Sequence, residues 1–220
     1  MIIAIDGPAA SGKSTAAMGV AKRLGITYLD TGAMYRAVTF GLMDNHIGFK
    51  NSIDIENFLE KIEIKFFEDQ TGTFLTLNGR DITNVIRSEV VTKNVSEVSA
   101  LKSVRNSMVL IQRKMAEVDD CILEGRDIGS VVFPNADFKF FLTADEKSRA
   151  ERRLNDLKAM GEKSSVEKVM NDLMNRDHKD TTRAYSPLKK SDDAIIIDTS
   201  KLGINKVIDK IVNIVKYKGH

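Results

Sequence analysis

One cysteine, three histidines and no tryptophan occur in this chain of 220 residues. Each scarcity excludes something. Cys121 alone cannot build an intramolecular disulfide framework, and it fits a reducing compartment. His46, His178 and His220 are scattered, with no spacing that suits zinc. No apolar run reaches the ~20 residues that a membrane-crossing helix needs. The first residues read as a strand and not as a signal peptide, so the expected location is the cytoplasm, away from membranes. An excess of one charge is missing too: 33 basic against 31 acidic residues leave a net charge of +2. That balance argues against a nucleic-acid partner, while local basic clusters can still handle small phosphates. No repeat, low-complexity tract or long linker interrupts the chain. With 42% hydrophobic and 29% charged residues, it reads as one globular domain with inserted lobes, monomeric by default.

What is present begins at once. Gly7-Pro8-Ala9-Ala10-Ser11-Gly12-Lys13-Ser14-Thr15 fits the phosphate-binding pattern G-x-x-x-x-G-K-[ST]. An apolar run, Met1 to Asp6, precedes it as a buried strand, and Ala16 to Leu24 follows as a helix with Gly25 at its C-terminus. Glycines let the backbone wrap phosphate oxygens closely. Successive N–H groups at a helix start form an anion-binding nest. Lys13 would reach the terminal phosphates of a nucleoside triphosphate, and the Ser14 hydroxyl would hold Mg²⁺.

Further along, Ile26 to Asp30 reads as a second strand, followed by a helix with Thr31 as its N-cap and Met34, Val38 and Leu42 on one face. Ser52 is expected to cap a short helix carrying Phe58, Leu59 and Ile62. Ile64–Phe67 and Phe74–Leu77 flank Asp69-Gln70-Thr71-Gly72 and read as a hairpin. Asn78-Gly79 predicts a tight turn, with Arg80 to Thr83 returning as a third strand. Helical patterning resumes near Thr83. Leu101, Val104, Met108, Ile111, Met115 and Val118 alternate spacings of three and four, a core-facing stripe on a long helix. Cys121–Leu123, Phe138–Leu142 and Ala194–Ile197 complete the strands. Thr143 with Glu146, and Ser164 with Glu167, read as capping boxes for two helices, the first ending near Gly161. Ile204 to Tyr217 closes as an amphipathic helix. Strands alternating with helices imply α/β architecture: a three-layer α/β/α core with a five-stranded parallel sheet. Ligands then sit beyond the carboxyl ends of the strands.

A triphosphate binder also needs an acceptor site. Arg36, Arg105, Arg126, Arg149, Arg152, Arg153, Arg176 and Arg183 recur near expected strand ends and loops. Arg forks grip phosphate bidentately, and phosphoryl transfer needs cation clamps on donor and acceptor.

The chain resembles the bacterial cytidylate kinases along essentially its whole length. The resemblance rests on GPAASGKST (Gly7–Thr15), LDTGAMYR (Leu29–Arg36), LEGRDIGSVVFPNA (Leu123–Ala136), RAERR (Arg149–Arg153) and RDHKDTTRAYSPL (Arg176–Leu188). The first stretch is shared by many nucleotide-binding families; the third and fifth are far more specific. The resemblance implies a nucleoside monophosphate kinase fold with a core of about residues 1–31, 106–148 and 184–220. It implies a monophosphate lobe of about 32–105 with an antiparallel insert at 63–83, and a short lid at 149–162 followed by a substrate segment at 163–183. It implies the reaction of ATP with CMP or dCMP to give ADP and CDP or dCDP, with Mg²⁺. Carried over, Ser96, Arg105 and Asp127 match cytosine-reading positions. Arg36, Arg126 and Arg183 match acceptor-phosphate positions, Arg176 and Asp180 sugar positions, and Thr31 and Tyr35 line the monophosphate site. Arg149 and Arg153 resemble lid arginines over the transferring group, a role Arg152 would share. The family has Asp-Gly-Arg-Asp where this chain has Glu124-Gly125-Arg126-Asp127. That leaves Glu124 ranked below Asp127, with a water-mediated Mg²⁺ contact or the orientation of an arginine open to it.

The cytosine assignment makes chemical sense. Asp127 can accept from the 4-amino group, Arg105 can donate to the ring acceptors, and Ser96 can do either. Two alternatives remain. One is a P-loop kinase for another small acceptor, such as UMP. The other is a non-kinase nucleotide switch, for which the chain lacks an Asn-Lys-x-Asp guanine-reading segment.

Overall fold

The computed structural model describes residues 1–69, 72–159 and 161–218. Gln70 and Thr71 of the expected hairpin turn, Met160 of the expected lid, and His220 lie outside the described residues. Two compact units divide the chain: residues 1–30 with 115–220, and residues 31–114.

The first unit is built on five parallel strands: β1 (Ile2–Asp6), β2 (Thr27–Asp30), β6 (Cys121–Gly125), β7 (Phe138–Thr143) and β8 (Ile195–Asp198), in the order β2-β6-β1-β7-β8. β1 lies at the centre, in register with β6 on one side (Ala4 opposite Leu123) and β7 on the other (Ile5 opposite Phe140). These strands read as continuous apolar runs because both faces are covered. Ile3, Ile5, Ile122, Phe140, Leu142 and Ile197 pack with Ala17 and Val20 of α1 (Lys13–Leu24) and with Val207, Ile211 and Val215 of α8 (Ile204–Lys218). Burying each large aliphatic side chain is worth roughly 2 kcal/mol. Gly19 allows the close approach of α1 and α8, because a Cβ there would meet Ile208 Cδ1 at 2.3 Å. Two further helices, α6 (Glu146–Ala159) and α7 (Val166–Thr182), complete this unit.

The second unit holds α2 (Thr31–Asp44), α3 (Ser52–Leu59), α4 (Glu89–Val98), α5 (Lys102–Met115) and an antiparallel sheet of β3 (Ile64–Asp69), β4 (Gly72–Leu77) and β5 (Arg80–Asp81). The hairpin pairs Phe66 with Leu75 and Phe67 with Phe74. Asn78 and Gly79 both take positive φ, 50° and 80°, as the predicted tight turn requires. α2 packs on α3, α4 and β4.

The elements match the sequence pattern, and the differences lie at their ends. α1 starts at Lys13, three residues before the expected Ala16. Thr31 is the first helical residue of α2 and not its N-cap, because β2 runs directly into the helix. Asn51, not Ser52, caps α3: its Oδ1 accepts from the Asp54 N–H at 3.2 Å, and the helix stops before Ile62. Thr143 cannot cap α6, since it ends β7 and its carbonyl accepts from the Thr199 N–H. Asp145 does so instead, accepting from the Ser148 N–H at 2.7 Å, which holds its carboxyl below the usual range. Ser165, not Ser164, caps α7 through the Lys168 N–H. The return strand β5 spans two residues only. Val118 lies beyond α5 and is 78% exposed, while the polar Arg105 and Gln112 are buried on that helix.

Candidate functional site

In the first unit the carboxyl ends of β1, β6, β7 and β8 carry the chemistry. The glycine loop follows β1. Gly7 has φ 149° and sits so close to β7 that a Cβ would meet Leu142 O at 2.0 Å. α1 has Gly12 as its N-cap, with no side-chain cap and no acid in its first turn, which leaves its positive end available to an anion. Pro8 is half-buried and Thr15 exposed. Lys13 is 5% exposed, and its Nζ donates to Pro8 O at 2.7 Å. Burial, then the nearby Arg126, lower its pKa to about 7 against the opposing pull of Glu124. Ser14 Oγ donates to Glu124 Oε1 at 2.7 Å, so the residue that departs from the family pattern holds the hydroxyl assigned to the metal.

Asp6, which ends β1, is 4% exposed and accepts from the Ile128 N–H at 2.8 Å and the Gly129 N–H at 2.7 Å. It thereby holds the segment that follows Arg126 and Asp127, a single turn of π-helix over Ile128–Val132. Burial pushes the Asp6 carboxyl up to about 6, despite those two N–H donors.

Behind this turn lies a buried ionic cluster. Arg126 Nε donates to Asp180 Oδ2 at 2.8 Å. Arg183 approaches Asp127 Oδ1 at 3.6 Å and Asp180 Oδ1 at 3.7 Å, and its Nε donates to Ser186 O at 2.6 Å. Burial alone would raise the Asp180 carboxyl, but Arg126, Arg176 and Arg183 hold it below its ordinary value. Arg126, Asp127, Arg176, Asp180 and Arg183 are therefore gathered as one set, as their spacing along the chain could not show.

Of the α6 arginines expected to form a lid, Arg149 is 7% exposed and donates to Ala9 O and Asp177. Arg152 donates to Thr199 Oγ1 at 2.9 Å and Thr199 O at 2.6 Å. Arg153 is half-buried, one helical turn beyond Arg149. A cavity of about 160 Å³ is lined by Ser11, Gly12, Thr15, Arg152, Thr199 and Leu202, among others. The sequence reading missed Thr199, whose hydroxyl also lies 3.0 Å from Ser11 O. Its position just past β8, at a strand carboxyl end, was the available signal.

In the second unit, Thr31 is 2% and Tyr35 8% exposed. Arg36 Nη1 donates to Thr92 Oγ1 at 2.8 Å and Ile86 O at 3.2 Å. Arg105, 2% exposed, stands over the Tyr35 ring at 5.2 Å and donates to Ser99 O at 3.1 Å. Ser99 Oγ donates to Ser96 O at 3.3 Å, so Arg105, Ser99 and half-buried Ser96 form a chain. Ser96 and Arg105 thus belong to this unit, and Asp127 to the other.

Among the described residues, no group of three or more His, Cys, Asp or Glu side chains is placed to hold a metal. None of the described helices is long and apolar enough to cross a membrane.

The sequence profile described as "Cytidylate kinase" matches residues 3–217. A cytidylate kinase of Halalkalibacterium halodurans is 46% identical over 98% of this chain and 97% of its own. That of Carboxydothermus hydrogenoformans is 46% identical over 99% and 98%, and that of Fusobacterium nucleatum 45% over 96% and 95%. The crystal structure of an uncharacterized protein from Eubacterium ventriosum shares the fold at 13% identity, covering 99% of this chain and 98% of its own with a TM-score of 0.56. The chain belongs to the cytidylate kinase family.

Proposed function

We propose that the protein transfers the γ-phosphoryl group of ATP to CMP and dCMP, releasing ADP and CDP or dCDP. The observation that carries this reading is the placing of two charged sets at neighbouring strand ends: buried Lys13 in the glycine loop after β1, and Arg126 after β6 with Arg183, both on Asp180. Donor lysine and acceptor arginines share one buried field, which suits an anion shared between two phosphates.

An oxygen of the acceptor phosphate attacks the γ-phosphorus. The bond from that phosphorus to the bridging oxygen breaks, and ADP leaves. No side-chain base is required, because the nucleophile already carries negative charge. Lys13, Arg126 and Arg183 stabilise the spreading charge, with Arg149 and Arg153 closing the donor side. Gly7 to Thr15 cradle the triphosphate, and the cavity beside Arg152 and Thr199 takes its base. Arg36 holds the acceptor phosphate, with Thr31 and Tyr35 beside it. Ser96, Arg105 and Asp127 read cytosine, while Arg176 and Asp180 hold the sugar.

Mg²⁺ fits as an ion delivered on the nucleotide phosphates, which usually takes only one or two protein oxygens. Ser14 would hold it, with Glu124 behind the hydroxyl, and it would neutralise phosphate charge. The lone buried Cys121 suits a reducing cytoplasm. A coupled ADP-release assay across CMP, dCMP, UMP, AMP and shikimate tests the assignment. CMP and dCMP should give the highest kcat/KM, and preference for UMP or shikimate would overturn it.

A further inference from the structure

Ala9 lies inside the glycine loop, yet both of its backbone polar groups are taken by side chains from distant helices. Its N–H donates to Asp177 Oδ1 at 3.0 Å. Its carbonyl accepts from Arg149 Nη1 at 3.2 Å. The same nitrogen donates to Asp177 Oδ2. These three contacts close a ring around one loop residue, with Arg149 from α6 and Asp177 from α7. The two side chains are 8% and 17% exposed, so the pair is screened little by solvent. The Ala9 methyl group is held as well, in an apolar cluster with Ala150 and Leu154 of α6 and Val169 and Leu173 of α7. The next residue, Ala10, has φ 58°, a left-handed conformation that costs roughly 1 kcal/mol for a residue with a Cβ. The grip on Ala9 is what can sustain it. Arg149 Nε is buried and has no hydrogen-bond partner among the described residues, so the guanidinium keeps a donor in reserve.

We propose that Asp177 is a positioning residue for the donor half of the reaction. It orients Arg149 and, through Ala9, sets the shape of the phosphate-binding loop. Both carboxylate oxygens are occupied, so its negative charge is spent on Arg149 and the Ala9 N–H and does not oppose the triphosphate. The α6–α7 pair and the loop then respond to the donor nucleotide together. The proposal rests on the phosphoryl-transfer reading above.

Asp177→Ala removes both contacts, whereas Asp177→Asn keeps an acceptor for the Ala9 N–H and loses the ion pair. In Asp177→Ala the KM for ATP should rise about tenfold or more, with the KM for CMP within about twofold. The Ala9 amide, followed by NMR hydrogen exchange, should exchange at least about tenfold faster in Asp177→Ala and stay near wild type in Asp177→Asn. In an Arg149→Ala background, adding Asp177→Ala should cost less in kcat/KM for ATP than it does in the wild type, because orienting Arg149 is part of its role and only the Ala9 N–H contact is left to lose. Equal rises in both KM values would overturn the proposal, making Asp177 act through its charge on Arg126. Unchanged Ala9 exchange in Asp177→Ala, or additive losses in the double variant, would overturn it too. Should Asp177→Ala not fold, wild-type kinetics in Asp177→Asn would do the same. If the wild-type protein does not phosphorylate CMP, the functional reading fails on its own. Ala9 exchange and binding of a non-hydrolysable ATP analogue then still decide the role of Asp177.

Discussion

Ser14 Oγ and Glu124 Oε1 lie 2.7 Å apart, a hydrogen bond that joins the start of α1 to the end of β6. The glycine loop is thereby tied to the neighbouring strand through the hydroxyl that would meet the metal. A carboxylate one methylene longer than the family's aspartate still makes this contact.

Glu124→Ala should lower kcat by about 10- to 100-fold, the usual cost of removing a group that orients a metal ligand. It should also raise the Mg²⁺ concentration needed for half-maximal rate. Glu124→Asp should retain most activity. A titration of rate against Mg²⁺ checks both, and an unchanged curve in Glu124→Ala would leave the contact purely structural.

Asp6 gives a pH dependence of stability. Its folded pKa of about 6 stands above the ordinary 3.8, chiefly through burial. The folded protein therefore holds this proton more tightly. The stability it contributes is complete below about pH 4 and is lost as pH rises through about 6. The loss is on the order of 3 kcal/mol at 1.36 kcal/mol per pKa unit. Asp6→Asn does not titrate, so its stability relative to wild type should improve between pH 4 and 7. Urea denaturation across that range checks the slope, and parallel curves would contradict it.

Arg105, stacked over Tyr35, should matter to the acceptor alone. Arg105→Met should raise the KM for CMP by about tenfold or more and leave the KM for ATP within about twofold. Steady-state kinetics with each nucleotide varied decide it. A matching rise for ATP would remove Arg105 from base reading.

Gly7→Ala should destabilise the protein by about 2 kcal/mol or more, since its Cβ would overlap the Leu142 carbonyl of β7. Backbone in a central strand cannot swing aside as a long side chain would. Thermal unfolding measures the loss, and an unchanged Tm would show that β7 yields.

The sheet, the loop-and-helix unit after β1 and the antiparallel insert were all legible in the chain. Apolar runs, the Asn78-Gly79 turn and helical spacing are local signals. Helix caps were less legible. Ser or Thr near a helix start is common, and which one caps depends on where the preceding strand releases the chain, as Thr143 and Asp145 show. Burial of Arg105 and Gln112 on α5 was invisible to a hydrophobic stripe, because polar side chains count as exposed in such a pattern.

By themselves the residues determined the family and the chemistry available: a glycine loop with Lys13 and Ser14, arginines for phosphate, and carboxylates for an amino group or a sugar. Only the tertiary structure decided which of these meet. Asp6 holds the turn after Asp127, Asp180 gathers Arg126 and Arg183, and Asp177 and Arg149 grip Ala9. The physical reason is that the partners are far apart along the chain, and the parallel sheet assembles its strand ends in the order β2-β6-β1-β7-β8, which differs from their order along the chain.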